Sequence, residues 1–89
     1  MENKQGLYVI YDRLAEESGP VFEAKNHAVA ARMFRRTLEK VVAGERNEYK
    51  LLRVGSIDHA TSEVFSESPP IEVPVGLPGV VEGEEVKNG

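Results

Sequence analysis

The chain contains no cysteine, so disulfides, thiolate metal sites and cysteine nucleophiles are excluded together. No apolar run approaches the roughly 18–20 residues of a membrane-spanning helix. The opening MENKQGLYVIYD lacks the long apolar stretch of a secretory signal. Histidine is scarce: His27 and His59 are the only two. Without cysteine or an HExxH-like spacing around them they make a poor metal site, and both read as solvated surface side chains. With 89 residues, only about 60–65% of the unfolded surface can be buried. That is enough for one core and too little for two lobes around a cleft.

Catalytic signatures are also missing. Asp12 stands near Glu16 and Glu17, but no partner base or pocket accompanies these carboxylates, so they read as surface groups. Ser18 and Ser56 lack the glycine elbow of a hydrolase nucleophile. Gly76, Gly79 and Gly83 lie in no strand–loop–helix context that would cradle a phosphate. The sequence therefore predicts no catalytic residues, no metal and no cofactor: a protein that is not an enzyme.

What is present begins with charge. The net charge is −4, which argues against a surface that is wholly a nucleic-acid footprint. Its distribution is uneven. Residues 1–24 carry two basic groups against five acids. Residues 25–53 carry eight basic groups against three acids, and residues 54–89 carry one against seven. A basic middle between acidic ends points to an interaction surface.

The hydropathy pattern places this basic middle on defined elements. Residues 7–11 (LYVIY) read as a strand buried on both sides. The polar run 15–20 ends in Gly19-Pro20 and reads as a loop. Residues 21–25 (VFEAK) return as the second strand of an antiparallel hairpin. Asn26 is a favoured helix N-cap, after which Ala30, Phe34, Leu38 and Val41 recur at helical spacing, predicting an amphipathic helix over 27–43 closed near Gly44.

Residues 49–57 (YKLLRVGSI) alternate again, with Tyr49, Leu51, Arg53 and Ile57 expected on one side and Gly55 marking a bulge. Val64-Phe65 form a short returning strand stopped by Pro69-Pro70, and 71–75 allow at most an edge strand. The predicted fold class is α+β: a mostly antiparallel four-stranded sheet with one amphipathic helix on one face, in ββαββ order. Residues 1–75 would form the single domain, and residues 76–89 an acidic, glycine-rich mobile tail. One helix cannot cover both faces of such a sheet. Tyr8, Ile10, Leu52 and Val54 are thus expected to leave an apolar face for a second subunit or the tail, which makes a homodimer a candidate assembly.

One constellation has chemical weight. Arg32, Arg36 and Lys40 fall at i, i+4 and i+8, with Arg35 and Glu39 alongside, and Lys25, Lys50 and Arg53 would extend the patch. Such groups neutralise phosphates without reading sequence, and Tyr8, Tyr11 or Phe22 would stack bases if exposed. The alternative is a solvated helix face whose arginines pair with acids from the loops and tail.

Taken in order, Tyr11-Asp12, the GPVF segment with Pro20 and Phe22, and the AxRxFR segment with Ala30, Arg32, Phe34 and Arg35 resemble a known family. So do the strand Tyr49-Lys50-Leu51-Leu52 with Val54-Gly55, and Asp58 with Thr61. Together they are similar, over residues 7–75, to the small nonstructural protein of microviruses, single-stranded-DNA bacteriophages that include the gokushoviruses. The resemblance implies a non-virion accessory protein of the host bacterial cytoplasm, binding single-stranded DNA during genome replication. It names no catalytic residues. A phage or host protein is the alternative partner, since the chain is acidic overall. No membrane association is implied.

Overall fold

In a computed structural model the chain is described over residues 4–75. The apolar run near the N-terminus becomes a long strand, β1 (Lys4–Asp12). Along one edge it pairs antiparallel with two short strands, β2 (Glu17–Ser18) and β3 (Phe22–Ala24). Helix α1 (His27–Leu38) follows. A 3₁₀ segment, Ala43–Glu48, then leads into β4 (Tyr49–Asp58), which pairs antiparallel with the other edge of β1. The last strand, β5 (Glu63–Val73), pairs antiparallel with β4. The fold is α+β. Because β2 and β3 share one edge of β1, the antiparallel sheet is four strands wide with β1 and β4 inside it. Strands β3 and β4 each run against β1, so α1 joins two parallel strands across the one between them.

Two hairpin turns rest on the same chemistry. After β1, the Asp12 carboxylate accepts the N–H groups of Leu14 and Ala15, Glu16 adopts φ 58°, and its N–H reaches the Asp12 carbonyl at 2.8 Å. After β4, the Asp58 carboxylate accepts from Ala60, Ser62 adopts φ 67°, and its N–H reaches the Asp58 carbonyl at 2.7 Å. In both, an aspartate closes a four-residue loop whose last residue is left-handed. The pairs Asp12↔Glu17 and Asp58↔Glu63 resume the ladders.

Cross-strand partners share a face, which sorts the side chains. Tyr8, Ile10, Leu51, Arg53 and Val73 face α1, whereas Val9, Leu52, Tyr11 and Lys50 face away. The core lies between sheet and helix and consists of Tyr8, Ala24, Ala30, Ala31, Phe34, Leu38, Leu51 and Val73. Tyr8 and Phe34 are fully enclosed. The expected apolar face grouping Tyr8, Ile10, Leu52 and Val54 is thus divided. Tyr8 and Ile10 lie under the chain's own helix, and the opposite face carries Leu7, Val9 and Leu52 instead.

The bulge marked by Gly55 is present. Leu7 pairs with Gly55 and Tyr8 with Arg53, which leaves Val54 as the extra residue. A bulge inverts the alternation beyond it, so Ile57 lies on the face opposite Tyr49, Leu51 and Arg53 rather than with them. Gly55 is required sterically, since a Cβ there would collide with the backbone carbonyl of Phe65. The prolines do not end β5. Its register jumps from Gly55↔Ser66 to Arg53↔Ile71, and residues 67–70 pass without partners in β4. An edge strand tolerates proline because the ladder need not use every N–H.

The helix is shorter than the predicted 27–43. Asn26 caps it as expected, accepting the Val29 N–H at 2.9 Å. It ends at Leu38, after which Lys40 and Val41 donate to the carbonyls of Thr37 and Leu38, tightening the turn. The Arg46 guanidinium returns from the 3₁₀ segment to donate to the carbonyls of Val41, at 2.9 Å, and Glu39, at 3.4 Å. The arginine thereby satisfies carbonyls of the cap residue and of the turn that follows it, while Gly44 sits within the 3₁₀ segment and does not cap the helix. The tail expected over 76–89 lies outside the described residues.

Candidate nucleic-acid interface

Helix α1 buries Ala30, Ala31, Phe34 and Leu38. At 3.6 residues per turn, Arg32 and Arg36 lie about 40° apart on the opposite side. Both are exposed, while Arg35, on the flank, is half-buried. Lys25 is exposed just before the Asn26 cap, and Lys40 is exposed in the turn after Leu38. Lys40 therefore continues the stripe from a turn rather than from a third helical step. Within residues 25–40 these five cations face one acid, Glu39. None of the five is ion-paired to another described residue; the ion pairs among the described residues join Arg53 to Glu67 and His59 to Glu23. Acids of the described loops do not pair with these arginines; the tail acids that the solvated-face alternative also invoked lie outside the described residues.

Two expected members of the patch lie elsewhere. Lys50 is on the sheet face away from α1, its ammonium 5.6 Å from the centroid of the Tyr11 ring, because its ladder partner is Tyr11. Arg53 is on the helix side, but its Nε is 3.7 Å from the Glu67 carboxylate and donates to the Gly55 carbonyl at 3.3 Å. The cations left on and beside α1 are thus Lys25, Arg32, Arg35, Arg36 and Lys40.

The aromatic rings do not form the expected stacking platform. Tyr8 is fully buried, with the Phe22 ring stacked at 5.9 Å. Its hydroxyl is 2.9 Å from Nδ1 of His27, whose ring meets it edge-on. Burial pushes the Tyr8 phenol above its ordinary pKa, and the nearby Arg53 charge pulls it back only in part. Tyr11 lies on the opposite face from the arginines. What remains on the helix side is a group of exposed cations, with the Tyr8 ring withdrawn into the core.

The histidines are both engaged. His27 holds the buried tyrosine, and His59, from the β4–β5 turn, is 2.8 Å from the Glu23 carboxylate on β3. This contact ties the end of one hairpin to the far side of the sheet. No cluster of three or more metal-ligating side chains occurs among the described residues. A further cation–aromatic contact escaped the sequence reading. Lys4 Nζ sits 5.1 Å from the Phe65 centroid, brought there by the Gly6↔Ser56 and Ser56↔Phe65 pairs.

No described helix is long and apolar enough to cross a membrane. The sequence model of the Phage ORF5 protein family matches residues 5–77, which includes every described strand from Gln5 onward and the whole of α1. No curated protein and no solved structure matches the chain significantly.

Proposed function

The chain belongs to the Phage ORF5 protein family, and from that premise we propose that it is a non-enzymatic accessory protein that binds single-stranded DNA through its phosphates. The setting of this reading is replication of a microvirus-type genome in the host bacterial cytoplasm. The observation that carries it is the outward face of α1. Arg32 and Arg36 are exposed on it, with Arg35 on its flank, Lys25 just before its cap and Lys40 in the turn after it; none is ion-paired to a described residue, and Phe34 and Leu38 anchor the helix. A flexible strand lies along the stripe, each neutralised phosphate releases condensed counterions, and no base edge is read. With Tyr8 buried and Tyr11 turned away, binding is electrostatic and insensitive to sequence.

Charge reversal tests this directly. Arg32→Glu combined with Arg36→Glu leaves the core untouched, because both side chains point to solvent. The expected result is loss of oligonucleotide binding with an unchanged circular dichroism spectrum. Unchanged affinity in a folded double variant would refute the reading.

A second reading is favoured by the sheet face opposite α1, where Leu7, Leu52, Val54 and Ile57 are only partly covered. On it the protein is a dimeric interaction module that engages a phage or host replication or assembly factor. Sedimentation equilibrium separates the two. A concentration-independent monomer whose DNA binding needs Arg32 and Arg36 supports the first, and a tight dimer without DNA affinity supports the second.

A further inference from the structure

One aromatic ring stays within reach of the helix cations. Phe22, on β3, is half-buried, its ring stacked against Tyr8 at 5.9 Å. It also lines an apolar groove of about 350 Å³ between α1 and the 19–22 segment, together with Ile10, Pro20, Val21, Met33 and Thr37. Val21 is 57% and Met33 37% exposed, so the groove opens to the surface.

Charge orients whatever enters it. Met33 stands beside the outward stripe of α1: Arg32 precedes it, and Arg36, three residues on, lies roughly 5–6 Å away between Cβ atoms. Both arginines are exposed, and neither is ion-paired to a described residue. In the other direction the groove passes Ile10, Pro20 and Thr37 into a second hollow of about 330 Å³ that reaches Asp12 and Glu17. It therefore attracts anions at its helix rim and repels them toward the first hairpin turn. An occupant that carries phosphate keeps the phosphate at the rim and puts an uncharged part inside.

The lining decides what that part is. The Thr37 hydroxyl is used, donating to the Met33 carbonyl at 3.1 Å. The Gly19 N–H is used by the Ile10 carbonyl at 3.0 Å, and Pro20 has no N–H. What the groove offers is an aromatic ring, a polarizable thioether and aliphatic carbons, which hold a flat ring by its face.

We infer that the groove between α1 and the 19–22 segment is a nucleobase subsite. One base of a single strand packs against Phe22, Met33 and Val21 while its flanking phosphates stay on Arg32 and Arg36. The inference rests on the reading of α1 as a phosphate-binding face, and it adds a contact that salt does not screen. The subsite tolerates any base, since every base has a face to stack.

Two strands of equal length and charge test it: oligo(dT) and an abasic counterpart that keeps the sugar-phosphate backbone. The full chain should bind oligo(dT) about five-fold or more tighter than the abasic strand, and the ratio should persist as salt rises. Val21→Ser combined with Met33→Ala should bring the ratio near one, with abasic affinity and the circular dichroism spectrum unchanged. In protein enriched with ¹³C-methyl methionine, with Met33 assigned through Met33→Leu, the Met33 ε-methyl should move upfield with oligo(dT) and not with the abasic strand. Equal affinity of the wild type for both strands overturns the subsite and leaves the phosphate reading standing; no binding to either at low salt overturns both. A Met33 signal that ignores oligo(dT) also overturns it, and one that moves instead with an acidic, leucine-rich peptide makes the groove a protein site.

Discussion

Replacing Tyr8 with phenylalanine isolates one hydroxyl at the centre of the fold. Tyr8 is 0% exposed, and its ring contacts, the Phe22 stack among them, survive in Tyr8→Phe. What is lost is the 2.9 Å hydrogen bond to His27, which pins the first residue of α1 to the middle of β1. His27 lies at the surface, so water can take over its freed nitrogen, and no buried group is left orphaned. The cost at neutral pH is therefore that of one ordinary hydrogen bond, about 1 kcal/mol. In a domain of this size that lowers Tm by roughly 4–8 °C.

The same hydroxyl gives a pH signature. Its folded-state pKa is raised above the ordinary 10.0 by burial. The unfolded chain therefore releases this proton first as pH climbs, and the native state loses stability from about pH 10 upward. Tyr8→Phe lacks the group and escapes that loss. Urea melts of both proteins at intervals from pH 7 to pH 11 should show the variant weaker at neutral pH and the gap closing above pH 10. A gap independent of pH, or a variant at least as stable as wild type at pH 7, would refute the reasoning.

Other perturbations follow from the same geometry. Gly55→Ala drives a methyl group into the Phe65 carbonyl and should cost about 1–3 kcal/mol, read as a lower urea midpoint at unchanged slope. Asn26→Ala removes the acceptor for the Val29 N–H and should cost about 1 kcal/mol in a thermal melt, whereas Asn26→Asp should retain most of the stability. Glu67→Gln breaks an ion pair 3.7 Å long and partly exposed; it should change stability by less than about 0.5 kcal/mol in the same melt.

The elements were legible where one local signal dominated. Asn26 announced the start of α1, and the period of Ala30, Phe34 and Leu38 gave its buried face. Its end is not legible because Val41 and Val42 prolong the apolar period, while the chain after Leu38 tightens into a turn whose carbonyls are met by Arg46, eight residues past Leu38 and outside any local pattern. Gly55 correctly marked the bulge, but the reversal of facing that follows from it was not carried to Ile57. The prolines of β5 read as a stop because sequence does not reveal that a strand is an edge with register to spare. Of the candidate interface, residues positioned by helical geometry (Arg32, Arg35 and Arg36) fell together as expected. Lys50 and Arg53 did not, because their placement depends on which strand pairs with which and in what register. The matching aspartate turns at Asp12 and Asp58 were visible as D-x-x-x followed by Glu17 or Glu63 two positions later, a local signal that was there to be used.

The central claim is that the outward cations of α1 bind a nucleic-acid backbone, and a salt titration of binding to a fluorescent single-stranded oligonucleotide tests it most directly. Three to four phosphate contacts from Arg32, Arg35, Arg36 and Lys40 predict that log K falls with log salt at a slope of about −2 to −3. The Arg32→Glu, Arg36→Glu variant should lose binding. No binding at low ionic strength, where electrostatic attraction is least screened, or a slope near zero, would contradict the account.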